Sequence, residues 1–394
     1  MTSRPRLLLY CQHSLGLGHL TRAWALGAHL ATEFQVTLVS GGASPPGLTP
    51  PSSVETIELP ALAQDAAGTL FAPNGGTSVD RVKAERRKRL VDTYRRVQPG
   101  VVVIELFPFG RRKFRDEIVA LLEETRHGPR PVVATSVRDL LVDRGPEQQA
   151  HDDRARALVE TWFDLVLVHT DPRFATLDDT FHPSQPLSVP VHHTGFVVAE
   201  RPWQTPEVGP SGILVSGGGG RFAEALYTMA IEACASLPLA SLPMTIVTGP
   251  LCPEKTFAAV SSAAQRCPGI HVARAIDDVC GAMRRASVSV SQCGYNTALD
   301  IVRARVPAIV VPFEENGDSE QTVRAHRLER LGVVRVVRAA EGPRALDEAM
   351  AAMPRTSRAE TPLDMCGGRR STELLITAMR RQTAVGLAVV AAPA

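Results

Sequence analysis

Short apolar runs of strand length alternate with longer amphipathic segments along the whole chain. This is the pattern of parallel sheets wound with helices on both faces, and it is long enough here to need two such sheets. In the first half the predicted strands fall at residues 6–10, 35–40, 54–59, 101–105, 131–136 and 165–168, with a further extended piece at 191–194. In the second half they fall at 212–216, 244–248, 271–274, 288–291, 308–311 and 333–337. Between the halves, Pro202, Pro206 and Pro210 remove backbone donors and favour an extended connection. The expected organisation is α/β, with one Rossmann-like domain at 1–200 and a second at 208–394, facing each other across a cleft, and a last helix able to pack back on the first domain. The stretch 41–53, with Gly41, Gly42, Pro45, Pro46, Pro50 and Pro51, reads as a surface loop. No short internal repeat is present.

Length supports the two domains, since 394 residues exceed what one hydrophobic core usually organises. A hydrophobic content of 44% and a charged content of 21% are those of an ordinary soluble enzyme, and no apolar run approaches the roughly 18 residues that would cross a bilayer. The first strand begins close to the initiator, leaving no room for a cleavable signal, so a cytoplasmic location is expected. Seven cysteines without a CxxC pair argue against a disulfide framework and a zinc site. No metal or cofactor is expected. A net charge of +2 gives no whole-protein attraction to nucleic acid. Two basic runs stand out, one with Arg81, Lys83, Arg86, Arg87, Lys88, Arg89, Arg95 and Arg96, the other with Arg111, Arg112, Lys113 and Arg115. They are either solvated helix faces or a surface for an anionic or lipid-linked acceptor at the inner face of a membrane.

Glycine turns after strands carry the candidate chemistry. Gly16, Gly18, His19 and Arg22 follow the opening strand, where glycines let a backbone approach a ligand and a histidine at a helix start can serve as a base. Four glycines, Gly217, Gly218, Gly219 and Gly220, follow the first strand of the second half, with Arg221 as a counter-charge. Four exceed what a tight turn requires, so close approach of a phosphate or sugar is the expected reason. The third turn is the run Cys293, Gly294, Tyr295, Asn296 and Thr297, which offers a diphosphate bare N–H groups and a positive helix end, with Asp300 placed to accept hydrogen bonds from a ribose. Glu320 and Gln321 can meet vicinal sugar hydroxyls. A divalent metal on Glu314, Glu315 and Asp318 is the minor alternative. Glu105 and the pair Arg138 and Asp139 end strands of the first half and should project towards its ligand edge.

The string Ala275-Ile276-Asp277-Asp278, the SQCGYNT turn, Asp300, Val306-Pro307-Ala308, Pro312-Phe313 and Glu320-Gln321 resemble, in order, the glycosyltransferases of the GT-B fold, nearest to the MurG-like branch. The resemblance is strongest from His271 to Gly332. It implies a UDP-sugar bound by the second domain, an acceptor bound by the first, and inversion at the anomeric carbon without an obligatory metal. It further implies that Ala275 and Ile276 meet the base, that Asp300 holds the ribose, that Gly217 to Gly220 with Cys293 and Gly294 surround the diphosphate, and that Glu320 and Gln321 bind the sugar. Asp300 stands where the family usually has glutamate, and Glu320 where glutamine is common, so the sugar is not inherited. The Gly-x-Gly-His start, with Arg22, is also similar to nucleotide-sugar hydrolases of the same fold. The expected reaction is hexosyl or N-acetylhexosaminyl transfer from a UDP-sugar, or another nucleoside-diphosphate sugar, to a hydroxyl, with His19 or Asp139 as base. A hydrolase or epimerase, and a sensor without turnover, remain alternatives.

Overall fold

The structure, a computed structural model, describes residues 4–13, 18–42, 48–64, 68–73, 77–200, 212–235, 242–314, 320–353 and 363–391. The chain forms two compact units, one comprising 1–200 with 363–394 and the other 201–362. The terminal segment, expected within a second domain running to 394, therefore belongs to unit 1. Most of the proline-rich connection, residues 201–211, lies outside the described residues, as do 43–47 of the expected surface loop.

Unit 1 contains β1 (Arg6–Cys11), α1 (Gly18–Leu30), β2 (Gln35–Ser40), β3 (Glu55–Glu58), β4 (Ala63–Gln64), β5 (Leu70–Phe71), α2 (Val79–Val97), β6 (Val101–Glu105), α3 (Arg115–Glu124), β7 (Val132–Val137), α4 (Gln148–Trp162), β8 (Leu165–Val168) and β9 (Val191–His193). Its seven-stranded sheet has the order β3-β2-β1-β6-β7-β8-β9, and its neighbours pair in parallel. Alternation within β1 shows why such strands read as unbroken apolar runs: Leu8 and Tyr10 enter one core, while Leu7, Leu9 and Cys11 enter the core on the other face. β4 and β5 form a small antiparallel pair.

Unit 2 contains β10 (Ile213–Ser216), α5 (Glu224–Ala235), β11 (Met244–Val247), α6 (Glu254–Ala264), β12 (Ile270–Ala273), α7 (Val279–Arg285), β13 (Val288–Ser291), α8 (Tyr295–Ala304), β14 (Ala308–Val310), α9 (Glu320–Arg330), β15 (Arg335–Val336) and α10 (Gly342–Ala352). Its sheet has the order β12-β11-β10-β13-β14-β15, again with parallel neighbours.

The final helix, α11 (Gly367–Ala391), packs on unit 1. Leu375 is fully buried with Leu20, Leu26 and Leu30 of α1, and Met379 packs against the same core. Just before it, the Phe196 N–H donates to the Asp364 carbonyl at 2.7 Å and the Gly367 N–H to the Phe196 carbonyl at 3.0 Å. Among the described residues no helix is long and apolar enough to cross a membrane.

Candidate active site

Strand order fixes where ligands can enter. Numbered by chain order within unit 2, the strands run 3-2-1-4-5-6, so the connections leave in opposite directions from β10 and β13 and open a crevice beyond their carboxyl ends. Ser216 and Ser291 sit side by side at those ends. The turns that follow are the two glycine-rich turns of unit 2.

The glycines divide into two kinds. A Cβ on Gly217 would lie 1.8 Å from the Tyr227 hydroxyl, and one on Gly220, at φ +87°, would lie 1.8 Å from the Thr248 carbonyl. These two are demanded by the fold, which corrects the expectation that a ligand explains the whole run. Gly218 is also at positive φ, with the Thr297 hydroxyl 3.2 Å from where its Cβ would be. Gly219 meets nothing closer than 3.9 Å, and Gly294 meets nothing within 4 Å. Gly294 has the unstrained φ of −64° and caps α8, and the N-terminus of a helix carries a partial positive charge. Among the glycines of the two turns, Gly219 and Gly294 are thus the two that the described fold does not itself require, and Gly294 stands at a helix N-terminus, the kind of position that favours an anion.

This turn is clamped by α9. The Gln321 Oε1 accepts the Cys293 N–H at 3.0 Å and the Phe313 N–H at 3.3 Å, while the Arg324 guanidinium donates to the Cys293 carbonyl at 3.0 Å. Arg324 is buried and pairs with Glu320 at 2.6 Å, one helical turn away. Gln321, expected to face a sugar, is thus engaged with the turn, and Glu320, expected there too, pairs with the arginine that supports it. Arg324 escaped the sequence reading, although a glutamate four residues before an arginine on one helix was the signal for it. Along α8, Tyr295, Ala298, Leu299 and Ile301 are buried, whereas Asn296, Thr297 and Asp300 are half-buried on the remaining face. Ala275 is exposed and Ile276 half-buried after β12, ahead of α7, whose N-cap Asp278 accepts the Gly281 N–H at 2.9 Å. Arg221 is exposed beside the glycines. Glu314 pairs with Arg338 at 3.1 Å, and Glu315 and Asp318 lie outside the described residues.

Unit 1 has its own reversal, between β1 and β6. Here His19, in the first turn of α1, and Glu105, the last residue of β6, meet with Nδ1 2.6 Å from Oε1. Arg22, one turn along α1, bonds the same carboxylate oxygen, and Arg111 reaches the other at 3.1 Å. Glu105 and Arg22 are buried, and the His19 side chain keeps 19% exposure. Burial opposes the charge on Glu105, but His19, Arg111 and Arg22 outweigh it and hold the carboxyl well below the usual range. Burial, reinforced by Arg111, pushes His19 down to about 3. His19 is therefore neutral at pH 7, with Nδ1–H turned to Glu105 and Nε2 left to accept a proton. Each residue of this pair was singled out from sequence; their contact, 86 residues apart, was not.

The other acceptor-side residues behave differently. Gly18 opens α1 and is exposed, and Gly16 lies outside the described residues. Arg138 is half-buried close enough to His19 to lower its basicity. Asp139 is buried, and its carboxylate accepts the Leu140 N–H at 2.9 Å. The basic run of α2 loses much of its force: Arg86 is fully buried against Glu117, and Lys88, Arg89, Arg95 and Arg96 pair with Asp92, Glu85, Glu124 and Glu55. The sequence also gave no sign of a buried chain in which His169 joins Ser136 at 2.8 Å and Thr194 at 2.9 Å, with burial pushing that histidine down to about 3.

Residues 213–365 match the family described as the glycosyltransferase family 28 C-terminal domain. Among solved structures, MurG of Acinetobacter baumannii is similar with a TM-score of 0.58 at 17% identity, over 95% of this chain and all of that one. The calicheamicin glycosyltransferase CalG4 gives 0.57 at 15% identity over the full length of both chains. A UDP-GlcNAc 2-epimerase from Methanocaldococcus jannaschii gives 0.57 at 11% identity, over 94% of this chain and 99% of that one. At these identities the likeness is one of fold. None of the curated proteins compared with the chain matches it.

Proposed function

We propose that this chain, whose residues 213–365 match the glycosyltransferase family 28 C-terminal domain and whose fold is similar to those of MurG and CalG4, is an inverting, metal-independent glycosyltransferase. It moves a hexosyl or N-acetylhexosaminyl group from a UDP-sugar to an acceptor hydroxyl. The observation that carries this reading is Gly294 at the start of α8, where a Cβ would meet nothing within 4 Å and whose turn α9 clamps through Gln321 and Arg324. The donor diphosphate binds there, with Gly219 as the second close approach, Asp300 on the ribose and the loop of Ala275 and Ile276 on the base.

Unit 1 supplies the base. The acceptor oxygen attacks the anomeric carbon, its proton passes to His19 Nε2, and the bond from carbon to the β-phosphate oxygen breaks with its electron pair leaving on UDP. Glu105 keeps the imidazole in the competent tautomer and stabilises it once protonated. Because Glu105 is buried among three cationic or hydrogen-bonding partners, it orients His19 rather than attacking the sugar, which supports a single displacement with inversion. Asp139, committed to a backbone amide, is set aside as base. Fixed backbone donors at the diphosphate each contribute about 10²–10³-fold to such a step, and several acting together relieve the need for a metal.

Two variants test the division of labour. His19→Ala should lower turnover by about 10²–10⁴-fold with UDP affinity within twofold of the wild type. Asp300→Ala should weaken UDP binding instead. Calorimetry and turnover showing the reverse pattern would remove both assignments, and release of free sugar without any acceptor would make water the acceptor.

A further inference from the structure

Phe222 follows the glycine turn after β10 and is 53% exposed, with no place in the core of unit 2. Its ring stacks on Phe313, which follows β14, with centroids 5.4 Å apart and planes inclined by 29°. As β13 lies between β10 and β14 in the sheet, the stacked rings join the two outer loops across the end of β13, where the Cys293-Gly294 turn begins. Hydrogen bonds fix the pair on both sides of that turn. The Gln292 amide donates to the Phe222 carbonyl at 2.8 Å, and the Phe313 N–H shares the Gln321 oxygen with Cys293. The Arg221 guanidinium stands 5.8 Å from the Phe222 ring.

We propose that Phe222, backed by Phe313, is a specificity-determining platform that stacks on the C–H face of the donor sugar. The inference rests on the donor site proposed above. The rings stand on the loops after β10 and β14, the strands on either side of β13, whose following turn holds the proposed diphosphate. One face of a pyranose is a patch of C–H bonds, which an aromatic face meets through dispersion and its negative quadrupole without desolvating a hydroxyl. A platform of this kind distinguishes sugars by which hydroxyls are axial, since an axial hydroxyl lifts the ring off the aromatic surface.

The test is calorimetry on the full-length protein with UDP, UDP-glucose, UDP-galactose and UDP-N-acetylglucosamine. For Phe222→Ala the dissociation constant for UDP should stay within twofold of the wild type, while that of the best-bound UDP-sugar rises about three- to tenfold. Phe222→Trp should restore most of the loss, and the alanine variant should discriminate less between glucose and galactose donors. An unchanged sugar affinity in Phe222→Ala overturns the inference and leaves the stack as a loop staple. Equal loss for UDP and UDP-sugar also overturns it, because the rings would then support the turn and not the sugar. A wild-type protein that binds neither overturns the donor site itself, an outcome distinct from either.

Discussion

At the scale of single residues, the chemistry of unit 1 depends on one buried carboxylate serving several partners. Glu105 holds His19 in orientation and neutralises Arg22 and Arg111, so its removal would leave two cations facing each other in a poorly solvated place. The histidines carry a second consequence. His19 and His169 are both held near 3, so the unfolded chain binds protons that the folded chain refuses as pH falls. Their contribution to stability is complete above the unfolded value near 6.5 and is lost progressively between about 6.5 and 3. Urea unfolding at a series of pH values should show a stability falling over that interval, by up to roughly 1.4 kcal/mol per pH unit for each group. Replacing the buried His169 by glutamine should flatten the slope. A profile as steep in His169→Gln as in the wild type would show that this histidine titrates normally.

At the scale of elements, the two glycine turns predict opposite phenotypes for the same substitution. Gly217→Ala must push Tyr227 or Ala223 aside, at about 1–3 kcal/mol for overpacking, and thermal melting of the variant should shift down by several degrees. Gly294→Ala adds a methyl group to open space at an ordinary φ, so its melting should match the wild type while UDP affinity drops. Normal UDP binding by a stable Gly294→Ala would place the diphosphate elsewhere. Strands of this kind were legible because buried parallel strands are dense in β-branched and other apolar residues. The runs at 35–40, 101–105, 165–168 and 288–291 coincide with β2, β6, β8 and β13. The two-residue strands β4 and β5 are too short to carry a period and are not among the predicted runs. Pairing across the sheet was the illegible part. Nothing local to Glu105 announces His19, and although Arg86 falls on the Val82 and Leu90 face of α2, nothing local announces the Glu117 and Gln12 that close around it.

At the scale of the whole molecule, the chain leaves unit 1 at residue 200 and returns to it at 363, so that residues 201–362 are a continuous unit within a divided one. Donor binding should accordingly survive separation. A fragment of residues 201–362 is expected to bind UDP within about tenfold of the intact protein, and failure to bind despite a folded circular-dichroism spectrum would show that unit 1 contributes to nucleotide affinity.

The hydrogen bond between Phe196 and Asp364 gives the divided unit an unusual property. The two cut ends of unit 1 are already stitched side by side, so a few glycines and serines could seal them into a free-standing protein. The same seam is a natural splice site: a nucleotide-sugar domain from another transferase, with its own sugar preference, could be exchanged there without disturbing the fold that carries His19.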